Sequence, residues 1–367
     1  MSLKKILLAG GGTAGHVEPA LAVGRWIRSQ HPEITCEFLG TSSGLESTLV
    51  PAAGFTLRVI TKAPLPRSLS LTSLIWPVKM VKSLRETSRA LKSVDLLVGF
   101  GGYVSSSAYI VARFKKIPMI AHEANALPGW ANKLGVRWGA RPLIAFEETR
   151  TTDETWRNAI LVGIPLREEV VKLAVSDAVT RNVIRTRKAA EWGFNPDKPI
   201  VVVFGGSQGS LHINKVIAES RELITRSGIQ VVHAVGRNNP LPESSSGYKG
   251  VHYFTDLPEA YVAADVVICR SGAVTCHEIG ALGSYALLIP LPVGNGEQRL
   301  NAQMIINAGQ GSVIANKEFT SRWLGDHIIG LITSGKKMRD FSHTSLVPLD
   351  GASHIGKIAI EMLGEGK

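Results

Sequence analysis

Four apolar residues run straight into a glycine turn at Ile6-Leu7-Leu8-Ala9-Gly10-Gly11-Gly12-Thr13-Ala14-Gly15-His16. A short buried strand has to end there and a helix has to begin near His16. Its unpaired N–H groups and the positive end of its dipole then point into the turn. Such a loop receives phosphate. Gly10, Gly12 and Gly15 also stand in the G-x-G-x-x-G spacing of dinucleotide-binding folds, a short pattern of low specificity. The rest of the chain has to decide which phosphate compound sits there.

At 367 residues the chain exceeds one ordinary core and implies two domains, and its 37 glycines suit an α/β protein with many strand-to-helix turns. A formal charge of +11 calls for an anionic partner. No nucleic-acid-binding motif is present and the aromatics do not interleave with the basic residues. A phosphorylated substrate and an anionic membrane surface therefore rank above nucleic acid. Cys36, Cys269 and Cys276 form no C-x-x-C pair and read as buried thiols of a reducing compartment. Lys4-Lys5 before Ile6-Leu7-Leu8 imitates a signal peptide, but the glycines cut the apolar run short. No stretch approaches the roughly 18 apolar residues of a membrane span. The expectation is a cytosolic protein.

The two halves repeat one order: strand and glycine loop, Asp-led strand and glycine turn, then a strand ending in polar residues. In the first half these are Ile6–His16, Val94–Ser105 and Ile117–His122 leading into Glu123–Gly129. In the second they are Ile200–Ser210, Ala264–Thr275 and Tyr285–Pro290. This predicts an α/β fold of two Rossmann-like, doubly wound parallel sheets in tandem. The expected boundaries are 1–163 and 164–349, with a C-terminal helix at about 350–367 packing back on the first domain. The run Glu168–Lys188 is expected to open the second half as helix. Ligand is expected in the cleft where both sets of loops meet. A strand at Thr35–Leu39 ends in Gly40-Thr41 rather than in the acid that a NAD-binding unit uses for its ribose. Glu37, inside that strand, is expected to face solvent.

Arg67–Arg89 mixes Leu71, Leu74, Ile75, Trp76, Val78 and Val81 with Lys79, Lys82, Arg85 and Arg89, with no acid before Glu86. Such a stretch can lie in an anionic membrane interface. It can equally be an ordinary helix packed on the sheet, with Pro77 bending its start.

Two glycine loops could flank one diphosphate, with backbone N–H groups and helix ends stabilising a leaving group. Arg270 or Arg167 would add charge. No Asp-x-Asp pair is present to hold a divalent ion, so no metal and no cofactor is expected. Glu278, inside the helix after Gly272, could accept both ribose hydroxyls; alone it is better explained as a first-turn carboxylate near the positive end of a helix. Gln298 could bond sugar hydroxyls or simply begin a helix. For deprotonating an attacking hydroxyl the candidates are His16, an imidazole closing a phosphate loop, and Glu123, at the end of a strand where open sheets place their sites.

Together these blocks carry a resemblance. Gly10–Ala22 (GGGTAGHVEPALA), Gly101–Ser105 (GGYVS), His122–Gly129 (HEANALPG), Gly205–Ser210 (GGSQGS), Arg270–Glu278 (RSGAVTCHE) and Gln298–Ala302 (QRLNA) are similar, in order, to the MurG family of glycosyltransferases. The resemblance implies the GT-B arrangement and inverting transfer of N-acetylglucosamine from UDP-N-acetylglucosamine to the 4-hydroxyl of an undecaprenyl-linked muramyl-pentapeptide. It places the work on the cytoplasmic face of the membrane, as a peripheral protein among cell-wall synthesis proteins. By the same resemblance Thr13, Ala14, Gly15 and Asn125 serve the donor sugar and diphosphate, and Arg167 and Ser207 the nucleotide and diphosphate. Ala273, Val274, Thr275 and Glu278 surround uracil and ribose, and Gln298 the sugar. His16, Tyr103 and Ser105 line the acceptor side, and the Leu69–Val81 patch meets the membrane. The chain departs from the family pattern at Ala14, Ser107, Ala124, Ile164 and Glu297, none of which removes a residue assigned to the donor.

Overall fold

The structure is a computed structural model and describes residues 4–63, 76–293, 295–340 and 344–365. The chain forms two compact units, Met1–Arg167 with Pro348–Lys367, and Glu168–Val347.

Unit 1 holds a seven-stranded sheet in the order β3-β2-β1-β4-β5-β6-β7. The strands are β1 (Lys5–Ala9), β2 (Thr35–Gly40), β3 (Thr56–Val59), β4 (Leu96–Gly99), β5 (Met119–Glu123), β6 (Arg141–Ile144) and β7 (Ile160–Leu161). All pairs are parallel, with Leu7 opposite Glu37 on one side and Leu97 on the other. The helices used below are α1 (Ala14–Gln30), α2 (Glu46–Ala52), α3 (Trp76–Ala90), α4 (Gly102–Lys115) and α5 (Trp130–Arg137). Unit 2 has a six-stranded parallel sheet, β10-β9-β8-β11-β12-β13. Its strands are β8 (Ile200–Phe204), β9 (Gln230–Ala234), β10 (Tyr248–Val251), β11 (Val266–Cys269), β12 (Ala286–Leu288) and β13 (Gly311–Val313). Its helices include α6 (Ala178–Trp192), α7 (Leu211–Arg226), α8 (Ala273–Leu282) and α9 (Glu297–Asn301), and the chain returns to unit 1 before α10 (Gly351–Glu365).

The central strands are continuous apolar runs because helices cover both faces of each sheet. On one face of the unit 1 sheet, Ile6 and Leu8 pack with Val17, Leu21 and Ile27 of α1 and with Ile355, Ile358 and Leu363 of α10. On the other, Leu7 and Leu97 pack with Val104, Ala108 and Tyr109 of α4. Gly356 lets α10 approach α1, since a Cβ there would lie 2.1 Å from the Trp26 ring.

The Asp-led strands that mark the internal repeat are strand-start devices. Asp95 accepts the Lys5 N–H at 2.8 Å, and Asp265 accepts the Ile200 N–H at 2.8 Å. Each thus caps the first donor of the strand that opens its unit's sheet in sequence. Asp265 is fully buried and is also gripped by Arg185 at 2.9 Å and Arg339 at 2.6 Å.

Two expectations are corrected. Glu37 does not face solvent: it is buried, with Arg58 Nε and Nη2 on its carboxylate at 2.9 and 2.8 Å and Lys5 at 3.3 Å. The Arg58 hydrogen bonds hold its carboxyl below the usual range, against burial. The run Glu168–Lys188 is two helices, Glu168–Ala174 and α6, because Asp177 takes a non-helical conformation and caps α6 by accepting the Thr180 N–H at 2.8 Å.

Candidate active site

The two glycine loops share a design but differ in chemistry. In unit 1, Gly12 sits at φ +91°, and a Cβ on Gly10 would come within 2.7 Å of the His16 carbonyl. Beneath the loop lies Glu46, the first residue of α2, fully buried. Its Oε2 accepts the Gly12 N–H at 2.9 Å, and its Oε1 accepts the Thr41 N–H at 2.9 Å and the Thr41 hydroxyl at 2.8 Å. Burial works against the charged form, but these hydrogen bonds outweigh it and hold the carboxyl below its usual range. The expectation of a bare phosphate cradle is therefore corrected. The Gly12 N–H is already used by a carboxylate whose charge repels phosphate. The N–H group of Gly15 in the first turn of α1 bonds no described residue.

His16 closes this loop, half-buried. Its Nδ1 lies 3.2 Å from the Gly11 carbonyl and 3.3 Å from Thr13 Oγ1. A carbonyl only accepts, so Nδ1 carries the proton and Nε2 presents its lone pair. Nε2 bonds no described residue. The ring lies against the β4–α4 turn, where Gly101 at φ +99° and Gly102 at φ +76° are in the left-handed region, and a Cβ on Gly101 would be 3.2 Å from Nε2. Tyr103 is half-buried on that turn, and its hydroxyl has no partner at full hydrogen-bond geometry among the described residues, Thr41 being its polar neighbour. Burial raises the Tyr103 pKa, opposed by Thr41 and reinforced by the Glu46 charge.

Two further expectations on unit 1 are corrected. Ser105 does not face an acceptor: it is fully buried, and its hydroxyl lies 2.8 Å from the carbonyls of Ala9 and Gly101 while accepting the Gly101 N–H at 3.1 Å. It staples β1 to the β4–α4 turn. Glu123 is 2% exposed and its carboxylate is saturated. Oε1 accepts the Asn125 N–H at 2.9 Å and the Asn125 side-chain amide at 3.2 Å, while Oε2 accepts the Gly129 N–H and Asn132 Nδ2, both at 2.9 Å. A group already accepting four donors clamps the 124–129 loop instead of presenting a lone pair to substrate. Beside it, burial pushes the His122 imidazole down to about 4, so the ring is neutral at neutral pH. Its Nε2–H donates to the Gly163 carbonyl at 2.9 Å.

In unit 2 the loop Gly205–Ser210 has no carboxylate among its bonds to the described residues. Gly206 and Gly209 have φ of +94° and +76°, and the side-chain amide of Asn239 donates to the Gln208 carbonyl at 3.0 Å. The N–H groups of Ser207 and Gln208 bond no described residue, and the exposed Ser207 stands beside them. Ser210 caps α7 by accepting the Ile213 N–H at 3.4 Å. Arg270, expected to neutralise the diphosphate, is instead a brace: Nη2 donates to Ser210 Oγ at 2.7 Å, and Nη1 to the Ile289 carbonyl at 3.0 Å and Asn316 Oδ1 at 2.8 Å. Ala273, Val274 and Thr275 open α8 without an acid in its first turn, and Glu278 lies deeper along it, 3% exposed. Gln298, in α9, accepts the Leu291 N–H at 3.0 Å through Oε1, which leaves its amide N–H groups to donate. Arg167 is half-buried at the end of unit 1.

Of the membrane patch, Leu71, Leu74 and Ile75 lie outside the described residues. On α3 the buried positions are the small polar Ser83 and Thr87. Val78 and Val81 are 72% and 48% exposed, beside exposed Lys79 and Lys82. Trp76 is half-buried. At the end of α4, Phe114 is 81% exposed among Arg113, Lys115 and Lys116. Lys115 donates to the Ser88 carbonyl of α3 at 2.7 Å. Among the described residues no helix is long and apolar enough to cross a membrane, and no group of three or more His, Cys, Asp or Glu is placed to hold a metal.

Sequence reasoning missed Glu46 and Asn132. The trace of Glu46 is the glycine at 40 and at 44: a Cβ on either would fall within 2.4 Å of its side chain.

The Glycosyltransferase family 28 N-terminal domain matches residues 6–144, and the family's C-terminal domain matches residues 200–345. The chain is 42% identical over 335 residues to a UDP-N-acetylglucosamine–N-acetylmuramyl-(pentapeptide) pyrophosphoryl-undecaprenol N-acetylglucosamine transferase of Corynebacterium jeikeium (strain K411), covering 89% of this chain and 87% of that one. It is 38% identical to the protein of the same description from Mycobacterium sp. (strain KMS), covering 98% and 96%. The crystal structure of Acinetobacter baumannii MurG superposes with a TM-score of 0.70 at 22% identity, over 98% of this chain and 99% of that one, a likeness of fold.

Proposed function

The chain belongs to the MurG family of N-acetylglucosaminyltransferases, and from that premise we propose how its two units divide the reaction. It transfers N-acetylglucosamine from UDP-N-acetylglucosamine to undecaprenyl-pyrophosphoryl-N-acetylmuramyl-pentapeptide, the step of peptidoglycan synthesis that completes the lipid-linked disaccharide. Unit 2 takes the UDP end of the donor and unit 1 the acceptor and the base. The observation that carries this division is the contrast between the loops: the Ser207 and Gln208 N–H groups are open, whereas Gly12 is held by Glu46.

The 4-hydroxyl of the muramyl sugar attacks the anomeric carbon as His16 Nε2 takes its proton. The bond to the diphosphate oxygen breaks and inverts the centre. The charge on departing UDP is met by the N–H donors of Ser207 and Gln208 and the positive end of α7, with no metal required. Thr13, Ala14, Gly15 and Asn125 serve the sugar end of the donor, with Gln298 donating to a sugar hydroxyl. Ala273–Thr275 enclose the base, and Arg167 supports the nucleotide. Purified protein supplied with UDP-N-acetylglucosamine and the lipid-linked muramyl acceptor is expected to release UDP only when both are present. UDP release without acceptor, or none with it, contradicts the proposal.

Glu278 is assigned the ribose hydroxyls. Glu278→Gln is expected to raise the KM for the donor by about tenfold to a hundredfold, the value of hydrogen bonds to a charged group. kcat should change little, and the preference for a ribose donor over its 2′-deoxy analogue should vanish. An unchanged preference moves the ribose elsewhere.

The outward face of α3, with Phe114, is assigned to the anionic inner leaflet, making the protein peripheral at the cytoplasmic face. Charge reversal at Lys79 and Lys82 is expected to weaken binding to phosphatidylglycerol vesicles by about 1 kcal/mol per basic residue lost at low salt. Unchanged vesicle binding assigns the face to another role.

A further inference from the structure

Glu46, which the transfer mechanism does not use, is buried, charged and bonded to the loop that His16 closes. The atoms involved belong to a single peptide group. Glu46 Oε2 accepts the N–H of Gly12, and His16 Nδ1 donates to the carbonyl of Gly11, the other end of the same peptide bond. A carboxylate pulling on the amide hydrogen polarises the peptide and enriches its carbonyl oxygen, which then accepts more strongly from the imidazole N–H. That fixes the tautomer, holds the ring's orientation and enriches the lone pair on Nε2. A carboxylate in direct contact with a catalytic histidine acts in this way; here one peptide unit stands between the two groups. We propose that Glu46 is a positioning residue for the transfer, acting through the Gly11–Gly12 peptide to orient His16 and strengthen it as a base. This rests on His16 being the base.

Three features support the relay. The packing around it is made of glycines: a Cβ on Gly11 would lie 2.8 Å from Glu46 Oε1, one on Gly102 3.0 Å from the Gly11 carbonyl, and one on Gly44 2.0 Å from Glu46 Oε2. Thr41 holds the other carboxylate oxygen with two donors, so the side chain has one orientation. The remaining titratable groups do not replace Glu46. From α4, Tyr103 has its ionisation pushed up by burial. From β5, His122 is neutral and Glu123 is saturated by its four donors. Glu18 lies on the helix of His16 itself, one residue outside the loop-closing turn.

The sign follows from charge. An ionised carboxylate bonded to the far end of the peptide enriches the Nε2 lone pair, so without that charge the ring is a weaker proton acceptor in the transfer step. The test is the pH dependence of kcat/KM for the lipid-linked acceptor at saturating donor, in Glu46→Gln, Thr41→Val and His16→Gln, with folding checked by thermal melting. In E46Q the acid limb of the rate profile is expected to move to lower pH, by less than a carboxylate in contact would move it. The plateau should fall about twofold, with the KM for UDP-N-acetylglucosamine unchanged. T41V removes the hydroxyl that draws charge from Glu46 Oε1, and its limb is expected to move the opposite way, to higher pH. A merely structural Glu46 changes melting and leaves the limb in place. If H16Q loses the limb while folded E46Q and T41V keep it where it was, the relay is wrong and His16 remains the base. If H16Q itself keeps both turnover and the limb, the base assignment is wrong. Should E46Q fail to fold, the direction of the T41V limb decides alone: upward supports the relay, and unmoved or downward overturns it.

Discussion

His16→Ala is expected to lower kcat by about a hundredfold to ten-thousandfold, the range for removing a positioned general base, while the KM for UDP-N-acetylglucosamine changes little. In free-energy terms this is about 3–5 kcal/mol of transition-state stabilisation. The asymmetry follows from where the residue sits. Nδ1 is committed to the Gly11 carbonyl and Nε2 to no described residue, so the ring contributes a lone pair to the reaction and nothing to the nucleotide, which unit 2 is assigned to hold. Single-turnover and steady-state kinetics check the split. A variant with unimpaired kcat and a raised donor KM would make His16 a phosphate ligand instead of a base.

Glu123→Ala is expected to cost stability rather than chemistry. The carboxylate accepts the N–H groups of Asn125 and Gly129 and the amides of Asn125 and Asn132. Truncation leaves these donors without their acceptor in a site where Glu123 is 2% exposed. Loss of such a buried charged network costs about 3–5 kcal/mol. At about 2–4 °C per kcal/mol for a unit of this size, the melting temperature should fall by about 6–20 °C. Glu123→Gln is expected to fall in the same direction, since its amide hydrogens would face two of the donors. The fraction that remains folded should keep the wild-type acid limb in its pH–rate profile. Loss of that limb in a stably folded Glu123 variant would return the role of base to Glu123.

What could be read from the sequence, and what could not, divides along local and non-local lines. The strand, glycine loop and helix at Ile6–His16, and its counterpart at Ile200–Ser210, are written in consecutive residues: an apolar run, glycines where φ must be positive, then helical spacing. The two parallel sheets follow from that repeat. The Asp-led strands were visible as a pattern, but their role was not, since Asp95 serves Lys5 at a separation of 90 residues. The same limit explains the corrections. Glu37 was expected to face solvent because its partner Arg58 comes from the neighbouring strand β3. Ser105, Glu123 and Arg270 have the residue types of a site and stand at a strand end, just past one, or in the first turn of the helix that follows. What they do depends on how many backbone groups converge on them, which no spacing records. Glu46 reaches Gly12 across 34 residues, and so the first loop resembles a phosphate site in sequence while carrying its own carboxylate in the fold.

The most direct measurement is a crystal structure with UDP-N-acetylglucosamine bound. The predicted result has the diphosphate oxygens on the Ser207 and Gln208 N–H groups, the ribose hydroxyls on Glu278, and Glu46 still bonded to Gly12. A diphosphate seated on the Gly12 N–H, with Glu46 displaced, would contradict the division of labour between the two loops.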